Sequence, residues 1–386
     1  MPVITNIEDL RQLARRRVPR AIFDYVDRGS YDEISYKANS ADLKAIRFRQ
    51  RILIDADNRS LATTMLGEKV AMPVCISPTG LTGLMHGDGE ILAARAAEAA
   101  GIRFTLSTMS ICSIEDVRAA TKAPFWFQLY VFRDRGFSES VIERARLAGC
   151  TALFVTVDLP LRGQRHADIK NGLEVPPRLT LRNALDIATK PSWALSVLMG
   201  KRKSFGNIDA YLKNKGGVWA AGRWANDNFD ASLSWEDVNW VRKIWPGKLV
   251  LKGVLDPEDA KRAADMGADA IVVSNHGGRQ LDGAPSTIAA LPRIADAAGD
   301  RIEVLFDGGV RSGQDVLKAL ALGARGCMIG RSYLYGLMAM GQPGVAKALS
   351  MIGDELRVSM SLTGVQDVAQ VSRDILFDPP ERARNI

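Results

Sequence analysis

Two patterns alternate along the chain. Short apolar runs of four to seven residues, rich in β-branched side chains, are followed by longer stretches in which apolar residues recur at three- and four-residue spacing. The runs are PVCIS (73–77), FTLS (104–107), FWFQLY (125–130), ALFVTVD (152–158), KLVLKG (248–253), AIVVSN (270–275), EVLFDGG (303–309) and GCMIGR (326–331). Several are continuously apolar, as strands buried on both faces must be. The stretches between them include GEILAARAAEAAG, SIEDVRAAT, SESVIERARLAG, SWEDVNWVRKIW, DPEDAKRAADMG and GQDVLKALALG. Many open on Ser, Asp or Gly with an acid in the first turn and close on Gly, which are helix start and stop signals. Eight strands alternating with helices predict a parallel α/β sheet, and eight is the number that closes a (β/α)8 TIM barrel. A doubly wound open sheet is the competing architecture, opposed by strand count and helix spacing. A single domain over residues 1–386 is expected.

In such a barrel, working residues follow the strands at the C-terminal face. The unusual residues fall there: Pro78, Thr79 and Gly80 after the first strand, Ser107 at the second, Gln128 and Tyr130 at the third, and Thr156 and Asp158 at the fourth. Lys252 ends the fifth, Ser274, His276 and Arg279 follow the sixth, Asp307, Gly308 and Gly309 the seventh, and Gly330 and Arg331 the eighth. DGGVRSG and GR at adjacent strand ends suit a phosphate, because bare backbone N–H groups and a helix N-terminus favour an anion while Arg311 and Arg331 add forked donors. His276 is one of three histidines. Asp158 would orient its ring as a carboxylate orients a general base. Arg279 and Arg165 would clamp a substrate carboxylate, and Tyr25 and Tyr130 offer hydroxyls.

Composition narrows the class. Hydrophobic residues make up 47% and charged residues 25% of the chain, an ordinary globular balance. Cys75, Cys112, Cys150 and Cys327 form no CxxC pair, which argues against a metal site or disulfide framework and fits a reducing compartment. The N-terminal sequence lacks a signal-peptide pattern, and no apolar run reaches the ~18 to 20 residues that span a bilayer. The net charge of +7 is concentrated between Arg178 and Ala225, where nine Lys/Arg face two Asp and the rest of the chain balances.

The motifs SNHGGRQLDG, FQLYV, TVDLPLRGQRHAD, LVLKG, DGGVRSG and IGRS resemble the FMN-dependent (S)-2-hydroxy acid oxidoreductases, from about Ile4 to about Phe377. Within them the chain is most similar to bacterial quinone-linked L-lactate dehydrogenases. The resemblance implies His276 as general base with Asp158 as partner, and Arg279, Arg165, Tyr25 and Tyr130 on the substrate. FMN is then held by Thr79, Gly80, Ser107, Gln128, Thr156, Lys252 and Ser274, with its phosphate at Asp307, Gly309, Arg311, Gly330 and Arg331. No metal is implied. Glycolate oxidases carry Trp where this chain has Met109, and alanine where it has Gly80. These departures speak against glycolate and for slow reaction with oxygen. A tetramer is a further implication.

The basic segment 178–225 lies between the fourth and fifth strands. KPSWALSVLMGKRK joins an apolar patch to a Lys-Arg-Lys cluster, with Trp219 and Trp224 following. Tryptophan with cations suits a helix lying at an anionic membrane surface; a mobile soluble lid is the alternative. Nucleic acid is not expected, since no binding motif accompanies the charge. The expected function is oxidation of an (S)-2-hydroxy acid, favouring L-lactate, with a membrane quinone as acceptor, by a cytoplasmic protein peripheral to the inner face of the cell membrane. Open alternatives are an oxygen-using oxidase that forms peroxide, a mandelate-type substrate, a barrel isomerase or aldolase acting on a phosphorylated substrate, and a non-catalytic phosphate-binding scaffold.

Overall fold

The computed structural model describes residues 3–55, 57, 59–172, 180–213 and 217–378, without the side chains of 181, 182 and 219. Arg178 and Lys215 of the basic segment, and the Trp219 ring, therefore lie outside the described part. Eight parallel strands form a closed barrel. They are β1 (Val74–Ile76), β2 (Arg103–Ser107), β3 (Trp126–Leu129), β4 (Ala152–Thr156), β5 (Lys248–Val254), β6 (Ala270–Val273), β7 (Glu303–Phe306) and β8 (Gly326–Ile329), each paired with its sequence neighbours and β8 closing on β1.

Strand parity divides the barrel residues into two cores, because successive side chains point to opposite faces. Cys75, Trp126, Phe154, Val250, Val272, Leu305 and Met328 belong to an inner core. Their neighbours, among them Ile76, Phe127, Val155, Leu251, Val273, Phe306 and Ile329, belong to the outer core beneath the helices. A short antiparallel hairpin, Thr63–Met65 with Glu68–Val70, adds Met65, Leu66 and Val70 to the inner core. It caps the N-terminal end of the barrel: Glu68 accepts from Trp126 Nε1 at 2.9 Å, Thr151 Oγ1 at 2.6 Å and Arg103 Nε at 2.6 Å. The opposite mouth is left for chemistry.

All six quoted helical stretches form helices, as in Gly89–Ala99, Arg135–Leu147 and Trp235–Ile244. Strands β4, β6, β7 and β8 stop two or three residues earlier than their apolar runs predict, because their last residues turn out into the mouth loops. Before the barrel come helices Ile7–Arg17, Arg20–Asp27 and Ile34–Ala45. Buried Asp27 ties the first two to the barrel, accepting from Arg11 Nε at 2.6 Å and Tyr335 OH at 2.7 Å. That anchor places Tyr25, two residues earlier, over the mouth.

The described part of the basic segment is four short helices, Leu181–Ala188, Pro191–Met199, Gly206–Tyr211 and Gly217–Asn228. Trp193 turns inward, donating from Nε1 to Leu84 O at 2.9 Å, rather than joining an outward apolar face. Arg202 is held by Asp116 at 2.7 Å and Asp88 at 3.6 Å. The Pro191–Met199 helix lies backbone-close on the loop after β1, since a Cβ on Gly87 would fall 2.0 Å from Ser196 O. Of the apolar side chains on that helix, Leu195, Leu198 and Met199 stay outward, each more than half exposed.

Candidate active site

At the open mouth the inward-facing positions change character. Two residues beyond the apolar inner layer, the same parity yields Ser77, Gln128, Thr156, Lys252, Ser274, Asp307 and Gly330, with Ser107 at the end of β2. A barrel filled with hydrocarbon thus ends in a ring of hydroxyls, an amide, an ammonium and a carboxylate. Above it opens a cavity of about 230 Å³. Every residue expected from the sequence to serve the site lines that cavity except Asp158 and Ser274, which stand directly behind its wall.

Lys252 is 4% exposed. Its Nζ lies 2.7 Å from Asp307 Oδ2 and donates to Ser274 Oγ at 2.8 Å. A register shift at Gly253, where β5 meets β6, turns the chain beyond it. Gly253 has φ +113, and a Cβ there would meet Asp158 Cβ at 2.5 Å, so only glycine lets that carboxylate pack in. Gln128 Oε1 accepts from Ser107 Oγ at 2.9 Å. Gln128 Nε2 and Asp307 Oδ1 are buried without hydrogen-bond partners, a costly condition unless a ligand completes them.

His276 adopts φ +55, a left-handed conformation uncommon for a non-glycine residue. The loop enforces it: the His276 N–H donates to Ser274 Oγ at 3.1 Å, and Gly278 N donates to Asn275 Oδ1 at 3.1 Å. Asn275 is itself locked to Asn39 at 2.8 Å. His276 Nδ1 lies 3.0 Å from Asp158 Oδ1. Burial opposes ionisation of Asp158, but His276 and Lys252 outweigh it and hold its pKa below the ordinary carboxylate value. An ionised Asp158 accepts from Nδ1–H and leaves Nε2 with a lone pair toward the cavity.

Arg279, Arg165 and Tyr25 form a second group. The Arg279 guanidinium sits 4.7 Å over the Tyr25 ring and donates to Tyr25 O, while Arg165 Nε reaches Arg279 O at 3.4 Å. Burial and the nearby Arg165 charge lower the Arg279 pKa, so an arriving carboxylate relieves a repulsion. Burial raises the Tyr130 pKa, and the Asp158 charge raises it further, keeping a neutral hydroxyl.

The phosphate end is partly as expected. Gly330 opens helix Arg331–Met340 without a side-chain cap, leaving first-turn N–H groups free at the cavity. Gly309 and Arg311 line the same wall. Arg331, however, gives its donors to main-chain oxygens: Nε to Val26 O at 2.7 Å, Nη1 to Gly277 O at 2.8 Å and Nη2 to Arg28 O at 3.0 Å. In this arrangement it fastens the N-terminal helices to the histidine loop.

Sequence reading missed several participants. Ser77 was recoverable from parity with Cys75. Asp168 is buried three residues after Arg165, its carboxylate oxygens without hydrogen-bond partners but ion-paired with Arg165 Nη1 at 3.9 Å. Burial raises its pKa against the pull of Arg279, Arg165 and Arg162. Phe205, Gly222 and Ala225 of the basic segment, with Phe229 just past it, also line the cavity; none of them was singled out by the sequence. Among the described residues no cluster of three or more His, Cys, Asp or Glu offers a metal site.

Known proteins match this chain along nearly its whole length. The family described as FMN-dependent dehydrogenase matches residues 14–378. An L-lactate dehydrogenase of Caulobacter vibrioides is 50% identical over 382 residues, covering 99% of this chain and 100% of the relative. The crystal structure of the monotopic membrane protein (S)-mandelate dehydrogenase superposes with a TM-score of 0.93 at 36% identity, covering 98% of this chain and 100% of that one. A mandelate oxidase solved with (S)-4-hydroxymandelic acid gives a TM-score of 0.83 at 37% identity, covering 97% and 98%.

Proposed function

The chain belongs to the FMN-dependent dehydrogenase family, and on that footing we propose that it oxidises L-lactate to the 2-oxo acid and delivers the electrons to a membrane quinone. The observation that carries the chemistry is His276, which lines one cavity with Arg165 and Arg279 while Asp158 backs it from behind the wall at 3.0 Å.

The donor set fits FMN. Gln128 Nε2 is an orphaned buried donor, and with Ser107, Thr156 and the loop at Thr79 and Gly80 it suits the polar edge of a flavin ring. Lys252, backed by Ser274 and Asp307, would supply a cation to offset the negative charge of a reduced ring. Gly309, Arg311 and the uncapped N-terminus at Gly330 suit the phosphate, with Arg331 bracing that wall. Bound FMN supplies the acceptor for the hydrogen on C2. Arg165 and Arg279 hold the substrate carboxylate, and Tyr25 and Tyr130 hydrogen-bond its oxygens. His276 Nε2 takes the hydroxyl proton, and Asp158 stabilises the imidazolium that results.

The acceptor is tested by turnover. With L-lactate, a soluble quinone analogue should be reduced in step with 2-oxo acid formed, with little peroxide in air. Peroxide released at the full rate of lactate consumption would make the protein an oxidase instead.

We also place the protein, as a homotetramer, on the inner face of the cell membrane. No helix among the described residues is long and apolar enough to cross a bilayer, so attachment rests on the outward face of the basic segment. Leu195, Leu198 and Met199 are 56%, 75% and 71% exposed beside Lys201. Each basic residue near an anionic surface contributes ~1 kcal/mol, screened within ~8 to 10 Å at physiological salt. The protein should bind anionic vesicles, less so as salt rises. Replacing all three apolar residues with Ser should release it while dye-linked turnover persists. Unchanged binding of that variant would remove this face as the anchor.

A further inference from the structure

The helix Gly217–Asn228 presents Gly222, Ala225 and Asn226 to the cavity, and Phe229 continues the same stripe just past its end. The spacing of three, four and seven residues is that of a single helix face. The stripe is held firmly against the barrel. Phe229 forms an antiparallel bridge with Phe132, Arg133 N donates to Asn228 O at 2.8 Å, and the Phe229 ring packs edge-on to Tyr130 at 5.7 Å. Trp224, on the far side, sits in a cluster with Phe132, Phe137 and Tyr211 at 4.8–6.0 Å between centroids.

We propose that this face selects the substituent on C2 of the substrate, and that Gly222 and Ala225 leave room there for an aryl or branched group as well as a methyl. This rests on the 2-hydroxy acid reading. Three of the four directions from C2 are already assigned: the carboxylate to Arg165 and Arg279, the hydroxyl to His276, the hydrogen to the cofactor. The fourth substituent must lie against a wall that none of those groups occupies. The Gly222–Phe229 stripe is such a wall: apolar apart from Asn226, and in contact with Tyr130. Glycine weakens a helix interior, so Gly222 costs helix stability at a point that lines the cavity.

The test uses FMN-loaded protein and the variants Ala225→Leu, which fills the wall, and Phe229→Leu, which opens it. Intact flavin absorbance and an unshifted thermal unfolding midpoint check folding. Two readouts are compared: the ratio of kcat/KM for (S)-mandelate to that for L-lactate, and the ratio of affinities for phenylacetate and acetate, read from perturbation of the flavin spectrum. Discrimination by one methylene in an apolar pocket is roughly 10- to 200-fold. Ala225→Leu should therefore lower both aryl-to-methyl ratios at least about tenfold, and Phe229→Leu should raise them. Parent protein that excludes phenylacetate, or ratios unchanged in both folded variants, would overturn the assignment. The binding arm needs no turnover, so protein that binds phenylacetate and acetate but is reduced by neither (S)-mandelate nor L-lactate would sink the hydroxy acid reading while still deciding the wall.

Discussion

Replacing His276 with Asn should leave the protein yellow and slow its anaerobic bleaching by L-lactate by about 10²- to 10⁴-fold, the usual cost of losing a positioned general base. Asparagine is the informative choice because residue 276 has φ +55, and Asn tolerates the left-handed region better than most residues. Its amide can also still face Asp158, so the loop keeps its shape while the base disappears. Cofactor retention is expected because the phosphate wall at Gly309, Arg311 and Gly330 lies on other strands. Stopped-flow reduction of flavin-loaded H276N near the parental rate would show that His276 is not the base. Loss of flavin instead would mean that this loop holds the cofactor.

Arg279→Lys is expected to raise the KM for L-lactate by about 10- to 150-fold, the equivalent of the ~1.5 to 3 kcal/mol of a hydrogen bond to a charged group, with flavin occupancy unchanged. A lysine brings one point of charge where the guanidinium brings a planar fork. It also loses the stacking on Tyr25 at 4.7 Å and the donation to Tyr25 O that aim the side chain. Titration with a non-reactive 2-oxo acid separates binding from chemistry. A variant with parental affinity but lower kcat would move Arg279 from holding the carboxylate to stabilising the reaction itself.

Much of this was legible along the chain, for a physical reason. Strands buried on both faces are largely apolar, so eight apolar runs marked eight strands, and the residue two beyond the inward-facing apolar layer marked the mouth. Scarcity singled out His276, and its strand-end position brought Asp158 to it from the other side of β5. Strand ends were less legible, because ALFVTVD and EVLFDGG carry polar tails that belong to loops. The hairpin at 63–70 was invisible, since three-residue strands show no period. Arg331, read by motif as a phosphate ligand, lines the cavity and also donates to the backbone oxygens of Val26, Arg28 and Gly277, a bracing role that the motif did not announce. The basic segment was read for its charge and its outward apolar patch. The helix that ends it, with Gly222 and Ala225 and continuing to Phe229, completes the cavity through contacts with the loop after β3 that no local pattern announces, and Trp193 and Arg202 dock the segment rather than face a surface.

The most direct test is a single anaerobic turnover of the purified yellow protein with L-lactate and with L-lactate deuterated at C2. Bleaching of the flavin, one equivalent of 2-oxo acid, and slower bleaching with the deuterated substrate are the expected results, since C2–H cleavage is the step that His276, Asp158 and the two arginines are arranged to serve. Flavin that stays yellow with L-lactate and with every other 2-hydroxy acid offered would contradict it.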